Sequence, residues 1–365
     1  MKILDRYIIR KVLSTFFFVV LIIVAIVVVI DITEKMDKFA RNHLDFLTVL
    51  GYYRDFIPWI AGLITPITVF IATVFVTSRL AAHTEIIAIL SGGTSFRRLL
   101  FPYFLSSLVI AIISFLLNGW VIPNSNRSRL EFELRYFENK IYFEKRNVHM
   151  QIEPNVYFFI QNYNNQSNTG YSFTLERFQD NRLTEKLEAD QIVWDTTKAK
   201  WTLRRWKHRM MDDIFLANRD LANQIVQTGE SKDTTLAITP ADFESDARQY
   251  DGLTIPELRS HIAKMRFRGS AGVEAYEFEK YFRFSQPFTT FILVFMGVIV
   301  SSRKSRGGTG FQIALGFLLS FAFIIVFMMS RSFAETGSMT PFLAAWITNI
   351  IFAVISLGMY KYVPR

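Results

Sequence analysis

The chain's 365 residues are 51% hydrophobic, include 36 Phe and no Cys, and sum to a formal net charge of +9. The missing cysteines exclude disulfides, thiolate zinc sites and cysteine nucleophiles. Nucleic-acid binding is not implied: residues 124–280 hold 23 Lys/Arg against 24 Asp/Glu and the rest 18 against 8, so the basic surplus lies in the short flanks of apolar runs, where it reports membrane orientation.

Six stretches of 19 residues or more lack Asp, Glu, Lys and Arg: 12–30, 56–78, 99–126, 284–302, 307–330 and 336–360. About 20 apolar residues cross the hydrocarbon of a bilayer, so each predicts a transmembrane helix. The first follows Lys2, Arg6, Arg10 and Lys11 and runs past the length of a signal-peptide core, with no small-residue cleavage site after it, and predicts a retained helix. One side of the membrane would carry those four cations, then Arg79, Arg97 and Arg98, then Arg303, Lys304 and Arg306, then Lys361 and Arg365. The other side carries residues 31–55, with five acids against four bases, and the Arg331/Glu335 turn. The first side is the predicted cytoplasm, which puts both termini inside and the middle of the chain outside.

The middle predicts β-structure. Residues 156–163, 171–178, 191–194 and 200–207 are rich in aromatic and β-branched residues, with turn formers at 164–168 and 180–181 between them. Phe158, Ile160, Phe173, Leu175, Trp201 and Leu203 alternate onto one predicted inner face of a sandwich or jelly roll. Thr254 and Glu257 bracket a capping box with Pro256 in the first turn; Leu258, Ile262 and Met265 continue it as an apolar stripe that Gly269 stops. A helix from about Val273 would then enter the fourth span. The expected fold is an α-helical membrane protein of six transmembrane helices, three and three, with an inserted all-β, jellyroll-like domain. Its divisions fall at 1–125, 126–270 and 271–365.

Reaction chemistry is missing from the pattern. There is no GxxxxGK[ST], HExxH or GxSxG, and the glycines at 307–310 predict a turn at the membrane edge. The five histidines (His43, His83, His149, His208 and His261) are scattered. The six apolar stretches hold no acid or lysine for a proton relay. Transport by this chain would need energy from elsewhere. Tyr52, Tyr53, Trp59 and Trp120 are expected at the membrane interfaces, and Pro58, Pro66, Pro102 and Pro287 inside bent spans.

Between spans two and three, residues 80–90 predict a short amphipathic helix closed by Gly92, with Ser95 capping the next. Ile86, Ile87 and Leu90 share its apolar face, and His83, Thr84 and Glu85 are polar. It reads equally as an interfacial helix or as a coupling helix that docks into a partner ATPase.

The opening Leu4-Asp5-Arg6-Tyr7-Ile8, the segment from Arg79 to Ser95 with Thr84-Glu85 and Ser91-Gly92, and Trp120-Val121-Ile122-Pro123 resemble the lipopolysaccharide export permeases, the LptF/LptG family. The order of elements does too. The resemblance covers the chain, is strongest over the first 125 residues, and is closer to the LptG member at the N-terminus. It implies a bacterial inner-membrane protein that pairs with a second permease subunit and a dimer of a cytoplasmic ABC ATPase. That ATPase would hold the ATP and Mg, so this chain binds no cofactor. Such a complex extracts lipopolysaccharide from the inner membrane and passes it to a periplasmic jellyroll bridge protein. The family's coupling glutamate falls on Glu85, with Arg79, His83, Thr84, Gly92, Arg97 and Arg98 around it, and spans one and five would line the lipid entrance.

Cations at the outer end of span one would hold the lipid's phosphates. Lys38 matches a family position, whereas Asp31 fills another; Lys35 and Arg41, with Arg127 and Arg129 after span three, would compensate. The bland reading of these residues is a solvated loop with snorkelling side chains. The inner face of the β-domain reads equally as a packed core or an acyl-chain slide. Rival readings of the whole are an ATPase-driven mechanotransmitter and a scaffold for periplasmic partners.

Overall fold

A computed structural model describes residues 3–137, 144–211, 226–243, 249–270, 272–302 and 308–361. The chain forms two compact units: one of residues 1–137, 250–259 and 274–365, the other of 138–249 and 260–273.

The first unit is helical. Its elements are α1 (Ile3–Arg41), α2 (Phe46–Ala82), α3 (Glu85–Ser91), α4 (Phe96–Leu116), a π-helical turn (Leu117–Val121), α5 (Ile122–Tyr136), the first turn of α6 (Ile255–Arg268), α7 (Val273–Ser301), α8 (Gly308–Glu335) and α9 (Pro341–Tyr360). Six helices among the described residues are long and apolar enough to cross a membrane, with α4, the π-turn and α5 forming one continuous third span. Only 11% of the apolar stretch of α1 and 22% of that of α8 is buried within the chain. Apolar helices that the protein leaves uncovered need lipid or a partner around them, which a buried soluble helix does not. The cations at 303, 304, 306 and 365, Lys2, and Gly307 of the glycine run lie outside the described residues. The rest of that run, expected as a turn, opens α8 instead.

The charge-free stretches mark where hydrocarbon ends, not where helices end. At 1.5 Å per residue the 39 residues of α1 rise about 58 Å, roughly twice the hydrocarbon thickness. The third span likewise continues past 126 to Tyr136. Pro123 offers no N–H to the preceding turn, and the widened turn at Leu117–Val121 absorbs that loss; Asn118 Nδ2 donates to the Ser114 carbonyl there (2.8 Å). Pro58, Pro66, Pro102 and Pro287 all lie within continuous helices. The core of this unit joins Ile8 and Val12 of α1, Phe70 and Leu80 of α2, Ile86 of α3, Leu99 and Tyr103 of α4, and Leu293 and Met296 of α7.

The second unit is a six-stranded antiparallel sheet of strands β1 (Glu144–Glu153), β2 (Val156–Asn164), β3 (Thr169–Gln179), β4 (Arg182–Asp195), β5 (Lys200–Met210) and β6 (Val226–Thr234). Their spatial order is the chain order, so the described strands run as a meander. Asp180 (φ 49°) and Asn181 (φ 62°) form the two-residue turn joining β3 to β4, the left-handed pair that a tight hairpin requires. Phe158, Ile160, Phe173, Trp201 and Leu203 are buried on one face, with Leu175 packed against them, as the alternation predicts. That face is covered by the chain itself: Ile238 and Phe243 are fully buried on it. The Trp201 indole N–H donates to the Ile238 carbonyl (2.7 Å), and the Phe243 ring stacks on Tyr163 at 4.1 Å. Asp242 holds the covering segment by capping the turn at Thr239 (2.8 Å) and pairing with Arg268 (2.5 Å). Strands β1 and β6 escape the sequence pattern. β6 reads VQTGESKDT and is polar along its length; its Gly229 is required because a Cβ there would meet the Trp206 indole nitrogen at 2.7 Å.

Candidate functional sites at the two ends of the helical unit

At the end where α4 begins, the helix expected over 80–90 is shorter. α2 continues through Ala82, Thr84 takes a left-handed φ of 58°, and α3 spans only Glu85–Ser91. The break turns the chain so that Ile86 (1% exposed) enters the core beside Ile8 and Leu99 while Ile87 (54% exposed) faces outward. The apolar face therefore comprises Ile86, Ile89 and Leu90, and Ile87 leaves it. Arg79, His83, Thr84, Ala88, Gly92 and Arg97 are exposed with it, a surface of mixed apolar and basic character.

Glu85 and Arg98, both expected as contacts for a partner, are held within the chain. The Tyr7 hydroxyl donates to Glu85 Oε2 (3.0 Å), Lys11 Nζ lies 3.8 Å from Glu85 Oε1, and Lys11 also donates to the Tyr7 oxygen. Arg98 makes a two-pronged pair with Asp5, both bonds at 2.7 Å, and Asp5 is 1% exposed. Ser95 caps α4, accepting from the Arg98 N–H (3.3 Å), so the guanidinium projects from the first turn of α4 towards the start of α1. Asp5 and Tyr7, which the sequence marked only as part of the motif Leu4-Asp5-Arg6-Tyr7-Ile8, and Lys11, marked only as a flanking cation, are thus the partners of Arg98 and Glu85.

At the other end, Lys35 of α1 lies between two carboxylates, Asp31 (2.8 Å) and Glu133 (3.7 Å), and donates to the Tyr52 hydroxyl. Tyr52 donates to Glu133 (3.0 Å) and Tyr53 to Asp31 (2.9 Å). Both tyrosines are buried, so they do not form the interface belt expected of them; each exchanges the headgroup layer for a carboxylate that needs a donor. Trp59 lies beneath the Arg129 guanidinium at 4.2 Å, and Trp120 is exposed. Arg129 is buried, pairing with Glu133 (2.9 Å) and donating to Asn126 Oδ1 (2.8 Å). Arg127 pairs with Glu257 at 2.9 Å. Lys38 and Arg41 are exposed, Lys38 with its ammonium 5.5 Å from the Phe137 ring, and no carboxylate among the described residues pairs with either. Of the five cations expected at headgroups, three are therefore neutralised in place and two are exposed without an acidic partner among the described residues.

Residues 250–254 are tied to the same unit. Arg283, buried and paired with Glu279 (2.9 Å), donates to the carbonyls of Leu253 (2.5 Å) and Tyr250 (2.9 Å), and Arg127 donates to that of Gly252 (3.2 Å). The helix of the fourth span begins at Val273, as expected, eleven residues before its charge-free stretch, and carries buried charge there: Glu277, Glu279 and Arg283. At Thr254 the expected cap is seen as Thr254 N–H and Oγ1 both donating to Glu257 (2.9 and 2.8 Å), which with Arg127 draws the Glu257 carboxyl down to about 2. Burial, reinforced by the charge of Glu279, pushes Asp251 up to about 6. A carboxyl raised above its unfolded value favours folding below that unfolded value and loses this as pH rises through the folded one. Asp251→Asn is therefore expected to be more stable than the parent at pH 8, by up to about 3 kcal/mol, with the gap closing towards pH 4. Thermal unfolding of the full chain across that range checks it; a gap independent of pH would show that Asp251 does not titrate there.

Among the described residues no three His, Asp or Glu are grouped to hold a metal. What these ends offer is an exposed apolar and basic face backed by three helices at one end, and an exposed pair of cations near a buried ionic network at the other. The family model for "Lipopolysaccharide export system permease LptF/LptG" matches residues 6–362. The chain is also 20% identical over 357 residues to the lipopolysaccharide export system permease protein LptG of Haemophilus influenzae, covering 96% of each chain. With the six apolar helices, the match describes a multi-pass inner-membrane transporter subunit and not an enzyme. The chain belongs to the LptF/LptG family of lipopolysaccharide export permeases.

Proposed function

We propose that this chain is one transmembrane subunit of an ATP-driven exporter that draws lipopolysaccharide from the inner membrane and passes it to a periplasmic jellyroll bridge. A second LptF/LptG-type subunit would complete the lipid entrance, and a dimeric cytoplasmic ATPase would hold ATP and Mg and hydrolyse it. In this reading both termini and α3 are cytoplasmic and the β-unit is periplasmic, in line with the basic flanks of the spans.

The observation that supports it most is the seating of α3. Ile86 is locked among α1, α2 and α4, Glu85 is hydrogen-bonded to α1, and the opposite face presents Ile87 within an exposed basic rim. A push on that face is delivered to the start of α1, the helix whose other end carries Lys38 and Arg41. Glu85 then serves as the joint between α3 and α1, and Arg79, His83, Thr84, Gly92 and Arg97 as the partner's contacts. Ile87→Glu, at a position more than half exposed, is expected to reduce ATPase co-purification at least tenfold, the scale of one buried apolar anchor, with little change in thermal stability. Full co-purification would remove α3 from the interface. Depletion tests the whole reading: lipopolysaccharide that still reached the cell surface normally would end it.

Lys38 and Arg41 are the proposed phosphate contacts, because a cation without an acidic partner among the described residues is available for a charge-assisted bond. Lys38→Gln with Arg41→Gln is expected to lower photo-crosslinking of lipopolysaccharide to α1 about tenfold or more, while Lys35→Gln acts chiefly on stability. One observation favours the mechanotransmitter reading: the inner face of the sheet is filled by Ile238 and Phe243. Crosslinkers in spans one and five separate the two, since only an exporter places lipopolysaccharide there.

A further inference from the structure

A groove of about 460 Å³ opens between α4, α7 and α9, on spans other than the first and fifth. The volume is in the range of small-molecule sites, roughly 300–1,000 Å³. Its walls are apolar, from Phe101, Phe104, Phe291 and Phe295 among others, and the one charged residue that lines it is Arg97. Arg97 is exposed, and no acid among the described residues pairs with it, whereas its neighbour Arg98 is consumed by Asp5.

A second polar group lies deeper. Ser356 of α9 lines the groove and is 1% exposed, and its hydroxyl has no hydrogen-bond partner among the described residues. The other hydroxyls in the lining are engaged: Ser107 donates to the Phe104 carbonyl (2.8 Å), and Tyr103 accepts from Thr77 (2.9 Å). A buried donor left without a partner is costly, so the groove calls for an acceptor at that point. The depth is set by the ring of Tyr360 lying 6.1 Å from that of Phe96, which levels the end of α9 with the start of α4. Ser356 is one turn earlier, about 6 Å farther into the membrane.

We propose that this groove binds one anionic glycerophospholipid. Its phosphate pairs with Arg97, an ester carbonyl accepts from the Ser356 hydroxyl, and an acyl chain fills the apolar slot. That spacing of one anion above one acceptor above hydrocarbon is the layout of a glycerophospholipid. A single cation does not match a lipid A headgroup with several phosphates, which separates this site from the cargo route. The inference stands without the transport reading, and it gives to the lipid the Arg97 that the transport reading counts among the ATPase contacts.

The test uses the full chain in mild detergent, titrated with phosphatidylglycerol or phosphatidylethanolamine and weighed by native mass spectrometry. The parent is expected to retain one phosphatidylglycerol. Arg97→Gln should lower its retention about tenfold and that of phosphatidylethanolamine less, because the ammonium of that lipid already offsets its phosphate. Ala353→Trp, which fills the groove, should bring retention of both to background. Ser356→Ala, too small a change to threaten folding, should weaken retention about fivefold. A photoactivatable phosphatidylglycerol should label α4, α7 or α9. Retention unaffected by these variants, labelling confined to other helices, displacement by purified lipopolysaccharide at equal concentration, or a protein span crosslinked at Ala353 in the membrane would each overturn the proposal.

Discussion

Replacing Arg98 by Gln is expected to lower the melting temperature of the helical unit, because it removes the charged partner of a buried carboxylate. Asp5 is almost wholly inaccessible, and the two 2.7 Å bonds from Arg98 supply much of what water would otherwise give it. Glutamine can reach one oxygen but carries no charge, so it leaves a carboxylate desolvated. Asp5→Asn should be milder, because the Arg98 side chain is 36% exposed and can turn to water. The double variant should recover part of the loss of Arg98→Gln, giving a non-zero coupling in a thermal or denaturant cycle. Strict additivity would mean that the two side chains do not act as a pair. The functional consequence follows from position: with the start of α1 detached from α4, α3 keeps its exposed face but loses one wall behind Ile86. ATPase association should therefore survive in Arg98→Gln while stimulated hydrolysis falls, the opposite split from Ile87→Glu.

What could be read in the sequence divides along physical lines. The six spans were legible because a charge-free run of twenty residues has almost no other stable home. The inner face of the sheet was legible because alternation from Phe158 to Leu203 is a local pattern, and the Asp180–Asn181 turn because few residue types accept its backbone. Three kinds of feature were hidden. Helix ends beyond the hydrocarbon carry ordinary charged sequence, so α5 was cut short, whereas the start of α7 at Val273 was read correctly. The break at Thr84 goes against local preference, since a β-branched residue seldom takes positive φ. Long-range pairing was out of reach altogether: Asp5 with Arg98, Tyr7 with Glu85, and Lys35 with Glu133 join residues that no periodicity connects. That blindness matters most at the candidate sites, where it made Lys35 and Arg129 look available for phosphates when their charges are already matched.

The second large effect is expected at Phe243. Truncating it to Ala removes a fully buried ring that stacks on Tyr163 and meets Trp201 and Phe158 edge-on or tilted at about 6 Å, and should cost the β-unit about 3–5 kcal/mol. Hydrogen exchange at the amides of β2 to β5 in the full chain is the fitting measurement, because it reports this unit separately from the helices. The result also decides between the two uses of the inner face. A core and a lipid slide share the same residues, Phe158, Phe173 and Trp201, but differ in what covers them. If the cover is structural, Phe243→Ala speeds exchange throughout the sheet, and loosening its latch with Arg268→Gln does so to a lesser degree. If instead exchange in the sheet is unmoved while crosslinkers at Phe158 begin to capture acyl chains, residues 236–243 are a removable cover over a lipid track. The geometry favours the first outcome. The covering segment is fixed by three different kinds of bond: a ring stack, an indole N–H to a carbonyl, and an ion pair. Displacing it would leave the Trp201 indole N–H unpaired against an apolar chain, which offers no acceptor to replace the Ile238 carbonyl.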